Sequence, residues 1–533
     1  MLLKKSSRTK AGRRIFSLST MIVCCVLAYA CIGAFARIMT SLNHNEHMYI
    51  CAGVLTAQGQ SLYRDFAYLQ APYLPMAYGI VFNMLKIDSF YLLTGKWISF
   101  LLLCMSATAI FCIARRVVRD INFALGVAAL FMLNTTVIDP ATEVSNYILP
   151  LGATLLAFYI FIVSFGSSIK PGGLVLAGLM LAAAAGAKLT YAPIIIPFII
   201  ITICCPVQKK SSPVCMRHRL AGAMFPLVAG MAIGLIPFFA FLYSDPARFL
   251  FNNLGYHHIN AQWRLITGYE GPMALHARLA YAAEILSRTE NLILVLPIML
   301  GCGCAVNRLR KNKNTHEGIS PGACLALLLL LTGLASAIAP APSFPQYYAL
   351  PVSCLFLLLL YTTPALSAIH PVLRRGFFLV LLLATLAYNG PPLHASIAKL
   401  PHRNRWAGLF VHDTAGFISH ILRVKTPAAQ GRIATLSPLF AVEANLPVYP
   451  ELSTGPFLYR VGDLLAPADR SRFIGTSPMR LNDLLDREAP WAILVGFEGE
   501  LDAPLIAYAR KHGYRAVTVP AFKGTLYIRP GPG

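Results

Sequence analysis

Residues 43 to 78, NHNEHMYICAGVLTAQGQSLYRDFAYLQAPYLPMAY, set one carboxylate, Glu46, between His44 and His47 and follow it with Tyr49, Tyr63, Arg64, Asp65 and Gln70. A positioned carboxylate can take the proton of an attacking hydroxyl. A phosphate leaving group needs cations or N–H donors as charge develops on it. Glu46 is the first candidate for the base, with Asp139 and Glu143 next. Candidates for holding a phosphate are Lys188, then His257, His258 and Arg264 in the loop 256–264, and Gln346-Tyr347-Tyr348. Asn45, His47, Tyr63, Arg64, Asp65 and Gln70 are expected to support the opening loop.

Each of these has a plainer reading. Glu46 can simply favour a helix N-terminus, the histidines can be solvated, and Arg64 can pair with Asp65 to fix the loop. Lys188 can snorkel to headgroups, and Gln346 to Tyr348 can belong to an interfacial aromatic belt. Glu46, Asp139 and Glu143 could together hold Mg²⁺ or Mn²⁺ through oxygen, but their spacing is not specific and no metal ligand is assigned.

The elements that must position these groups are membrane helices. Of 533 residues, 56% are hydrophobic and only 13% charged, and the mean hydropathy is +0.61. That composition excludes a soluble chain. The net charge of +23 would point to nucleic acid in a soluble protein. Here the Lys and Arg residues cluster in short loops between apolar runs, where they set topology and face anionic headgroups. Thirteen cysteines lie mostly inside apolar segments without a CxxC spacing, so buried free thiols are expected.

The hydropathy predicts eleven spans, near 15–36, 96–114, 121–138, 146–164, 172–187, 191–206, 220–243, 291–306, 321–338, 348–366 and 376–390. Basic residues in alternate loops put the N-terminus in the cytoplasm and the C-terminus outside. The loop 37–95 and the other polar clusters then share one outer face, beside a polytopic domain 1–390. From 391 to 533 the composition becomes that of a water-soluble domain. Strands are predicted at 432–437, 491–497, 515–519 and 525–530, and helices near 405–424, 478–488 and 503–512, giving a small α/β layer.

The order N-E-H-x-Y at 45–49, then G-x-x-L-Y-R-D-F ending at Phe66, then Q-x-P-Y at 70–73 resembles the first periplasmic loop of the GT-C glycosyltransferases. That superfamily includes protein O-mannosyltransferases and lipid A aminoarabinose transferases. The usual signature there begins Asp-Glu; this chain has Asn45-Glu46, which breaks a one-to-one transfer of mechanism. The resemblance implies an inverting, inner-membrane glycosyltransferase that uses a polyprenyl-phosphate-linked sugar. Its acceptor would be lipid A, a polysaccharide or a protein on the periplasmic side. The alternatives are a transporter or flippase of lipid-linked sugars, which usually shows internal repeats, and an inactive scaffold of the same fold.

Overall fold

The computed structural model describes residues 4–166, 169–204, 220–311, 320–368, 371–425, 431–520 and 524–530. The basic loop at 205–219 lies outside them. Among the described residues six helices are long and apolar enough to cross a membrane, or up to eight spans if two bent pairs each count as one. Three shorter apolar helices, Ile148–Ser164, Pro171–Ala187 and Leu189–Cys204, stand where spans are predicted. The chain is a multi-pass membrane protein.

The opening segment carries two short helices within the stretch 37–95 that joins the first two long ones. We label the first helices α1 (Lys4–Thr40), α2 (Glu46–Ala57), α3 (Tyr73–Met84) and α4 (Tyr91–Val118). The turn that leads into α2 is closed by two side chains: Asn43 Oδ1 accepts from Asn45 N, and Glu46 Oε2 accepts from Asn43 N, both at 3.0 Å. Helices α2 and α3 pack tightly because Gly53 lacks a Cβ, which would stand 2.8 Å from Tyr78 Cβ.

The span predicted at 121–138 is broken. It forms α5 (Ile121–Leu133) and α6 (Thr135–Thr142), bent by 57° at Asn134. Asn134 Oδ1 accepts from Val137 N, and the Glu290 carboxylate accepts from the backbone and hydroxyl groups of Thr135 and Thr136. A buried carboxylate on the exposed N–H groups of a helix start is favourable, since both the dipole and the hydrogen bonds act on it. This break sets where the following residues, 143–147, emerge. Asp139 therefore lies in a helix and not in an outer loop.

The region 256–264 also departs from its predicted loop: Tyr256–Ile266 is a helix. Its polar residues alternate with apolar ones at helical spacing, which reads as a loop only if composition alone is weighed.

Towards the C-terminus a mixed four-stranded sheet forms from β1 (Ile433–Thr435), β2 (Ala492–Val495), β3 (Arg515–Thr518) and β4 (Thr525–Ile528), in the order β1-β2-β4-β3. Strands β1 and β2 are parallel, with Ile433 opposite Ala492; β4 runs antiparallel to both β2 and β3. Helices Ala407–Lys425, Leu481–Arg487 and Ala503–Lys511 accompany it. The last long helix, Pro371–Ile397, runs on through Gly390-Pro391-Pro392 beyond the predicted end of its span.

The sheet layer is not a detached appendage. Ile50, Phe66, Tyr78 and Phe82 from the opening segment share one buried core with Phe440, Val442, Leu494 and Leu526. Glu443, fully buried, accepts from Phe90 N and Tyr91 N and so caps α4 from the far end of the chain. His412 donates or accepts at 2.9 Å on the same carboxylate while stacking on Phe90.

Candidate active site

The segment after α6 carries the centre of the site. Lys96 Nζ lies 2.5 Å from Glu46 Oε1, with both side chains fully buried. The pair grips the backbone on either side of Glu143. Lys96 donates to Thr142 O at 2.6 Å, and Glu46 Oε1 accepts from Val144 N at 2.7 Å. Glu143 itself, half-buried, accepts from Asn43 Nδ2 at 2.5 Å and from Asn45 Nδ2 at 3.1 Å.

Glu46, the first candidate for the base, is engaged elsewhere. Glu46 has both oxygens committed to Lys96, Val144 and Asn43, and no face left for a substrate. Asp139 pairs with Arg37 at 2.7 Å. Glu143 alone of the three takes its hydrogen bonds from side-chain amides. Burial raises its carboxyl above the ordinary glutamate range, the Asn45 hydrogen bond pulls it back, and Lys188 lies within electrostatic reach. Glu46 is taken up by Lys96 and Asp139 by Arg37, so the three carboxylates are not gathered as the oxygen ligands considered for Mg²⁺ or Mn²⁺. No group of three His, Cys, Asp or Glu side chains is placed to hold a metal among the described residues.

Lys188 follows the helix Pro171–Ala187, buried under aromatic rings. Its Nζ sits 3.8 Å from the Tyr147 ring centre, 5.5 Å from that of Tyr347, and 3.3 Å from Asn146 Oδ1. Burial pulls the ammonium down to about 7, and Glu143 partly restores it. Asn146 is the hub here: it accepts from Tyr49 OH at 3.1 Å and donates to Gln70 Oε1 at 3.0 Å. Gln346 reaches the Tyr147 hydroxyl at 3.5 Å.

The opposite wall comes from the helix Tyr256–Ile266 and from the sheet layer. Arg264 lies over the Tyr269 ring at 4.3 Å, and Arg460 over Trp263 at 4.9 Å. One terminal nitrogen of Arg460 donates to Asn260 Oδ1 at 2.7 Å, while the Nε atoms of both arginines are buried without a hydrogen bond. His44, its ring 5.6 Å from Phe457, is lowered by burial and by the charges of Arg460 and Arg264. His257 lies on the Lys188 side of this helix, within hydrogen-bond reach of the Leu69 backbone.

Other expected site residues fall elsewhere. His258 is exposed and meets only Gln262, one turn on along its own helix. Tyr348 is buried and shares a hydrogen bond with Ser343 at 3.0 Å, so it supports the fold. His47 is buried and held down to about 3, a neutral packing residue against Phe440. Arg64 pairs with Asp65 at 3.0 Å, and Tyr63 OH donates to Gln70 O at 2.6 Å, both fixing the turn.

Asn43, Lys96, Asn146, Tyr147 and Arg460 are the residues that the sequence reading missed. Lys96 carried a usable signal, a lone cation within an apolar helix, which in a membrane protein needs a partner.

No protein-family model matches the sequence, and no curated protein is similar to it. Solved structures are. ArnT from Cupriavidus metallidurans in the apo state superposes with a TM-score of 0.56 at 12% identity, covering 96% of this chain and 98% of that one. The chain has a GT-C fold. The same ArnT bound to undecaprenyl phosphate gives a TM-score of 0.52 at 11% identity, with the same coverage of each chain.

Proposed function

We propose that the chain is an inverting membrane glycosyltransferase. It moves a sugar from a polyprenyl-phosphate donor to an envelope acceptor at the extracytoplasmic face of the inner membrane. The observation that carries this reading is an amide-held carboxylate, Glu143, with the Lys188 cation in electrostatic reach, and, beside His44 in the same opening segment, the two cations Arg264 and Arg460.

In this reading Glu143 takes the proton of the acceptor hydroxyl as that oxygen attacks the anomeric carbon. The bond from that carbon to the phosphate oxygen breaks, and polyprenyl phosphate leaves with the electron pair. The leaving group gains negative charge in this step, and cations fixed in a partly dry site stabilise that gain more than they stabilise the ground state. Lys188, near neutrality when the site is empty, becomes fully charged beside a phosphate. Asn45, standing where the resembling family has Asp, serves as the amide that orients Glu143, so the carboxylate is relocated and not lost. The fold shared with ArnT, which binds undecaprenyl phosphate, supports the donor class. The domain 391–533 then acts as part of the site, through Arg460.

The test is incubation of the purified chain in nanodiscs with a panel of polyprenyl-phosphate sugars. Release of free polyprenyl phosphate from one of them is expected. Movement of the intact donor between leaflets without any release would replace the transferase with a transporter.

A further inference from the structure

A second cavity, of about 470 Å³, opens in the C-terminal layer, away from Glu143. Its walls include Glu451, Arg470, Ser471, Thr476, Arg480 and Arg487. That volume falls in the usual range of small-ligand sites. Arg480 pairs with Asp483 at 3.3 Å, which leaves the guanidinium groups of Arg470 and Arg487 against the single carboxylate of Glu451, so the lining has a positive excess.

The groups are placed for binding. Arg470 is anchored through Nε to Gly462 O and through one terminal nitrogen to Leu465 O, both at 2.9 Å. Arg487 is oriented by Nε on Asp483 O at 3.0 Å, and its terminal nitrogens make no hydrogen bond among the described residues. A guanidinium fixed this way presents a planar pair of donors that suits a phosphate or carboxylate. Glu451 Oε2 is buried with no hydrogen-bond partner. A buried acceptor left unpaired is costly, and such exceptions call for a missing donor. Fixed donors for an anion, hydroxyls on Ser471 and Thr476, and a carboxylate waiting for O–H donors together match one chemistry.

We propose that this cavity binds an acidic sugar, a carbohydrate unit bearing a phosphate or a carboxylate. Gly462, whose carbonyl anchors Arg470, is two residues from Arg460, so one short segment borders both the cavity and the hollow that contains Glu143. The site does not depend on the transfer reaction, and Glu143→Gln is expected to leave it intact.

Calorimetry on the full chain in detergent, titrated with glucose 1-phosphate and with glucuronate, tests it. Inorganic phosphate and glucose are the comparators. At least one acidic sugar is expected to bind saturably and at least tenfold more tightly than either comparator. Arg487→Gln and Glu451→Gln should each weaken it about tenfold with the melting temperature unchanged, while Lys188→Ala and Arg264→Ala leave it as it is. Binding lost in Arg264→Ala but kept in Arg487→Gln would put the ligand in the hollow and overturn the proposal. Phosphate binding as tight as the acidic sugar would reduce the cavity to an adventitious anion site, and the absence of saturable binding by both sugars would remove it.

Discussion

Lys96 and Glu46 form a fully buried ion pair whose two members hold the carbonyl before Glu143 and the amide after it. Glu143 is thereby presented from a clamped backbone, which makes Glu46 a positioning residue. Removing one member of a buried pair strands the other charge and costs about 3–5 kcal/mol, whereas an apolar replacement of both is far milder. Lys96→Met alone is therefore expected to lower the melting temperature sharply, and Lys96→Met with Glu46→Leu to recover much of it. Equal melting temperatures for the wild type and Lys96→Met would show that the pair does not brace the fold.

Asn45 donates a hydrogen bond to Glu143 that an aspartate could not. Asn45→Asp would remove that donor and set a like charge beside the carboxylate, and both changes favour its protonated form. The acid limb of the kcat/KM profile is expected to move up by about one pH unit or more. An unchanged acid limb, with protein that still folds, would mean that Glu143 is not the group reported by that limb.

Lys188 is expected to supply the alkaline limb of the same profile. Burial lowers its ammonium to about 7, so the free site holds this charge below that pH and loses it above. Donor affinity should fall as the pH rises through this range, seen as a rising KM. Lys188→Arg keeps its charge at every accessible pH and should flatten the alkaline limb while lowering the maximum. A wild-type KM that is constant from pH 6 to 9 would contradict this.

Arg460 comes from the sheet layer and reaches the hollow through Asn260 and Trp263. A charge-assisted hydrogen bond contributes about 1.5–3 kcal/mol, so Arg460→Ala should raise the donor KM by about tenfold or more. If the arginine holds phosphate equally in the ground and transition states, kcat changes less than KM. A variant with unaltered KM would restrict the sheet layer to packing.

How far these features can be read from the sequence depends on whether their cause is local. The polar clusters at 44–49, 188 and 257–264 stand out because charge beside an apolar run is expensive and visible. The four strands of the sheet layer stand out through short β-branched and aliphatic runs, and the structure forms all four within the predicted limits. What depends on distant partners does not show. Glu46 looks like a free acid until Lys96, 50 positions later, is seen against it. The break at Asn134 is hidden because its cap, Glu290, comes from another helix. Arg460 is one arginine among many in a polar stretch, and only the shared core with α2 and α3 brings it to the hollow.

The central claim is that Glu143, not Glu46, receives the acceptor proton. Single-turnover release of polyprenyl phosphate in Glu143→Gln, with donor binding measured alongside, tests it most directly. The expected result is a loss of about 100-fold or more in the rate with donor affinity within a few-fold of wild type. A Glu143→Gln protein that turns over its donor at the wild-type rate would contradict the account.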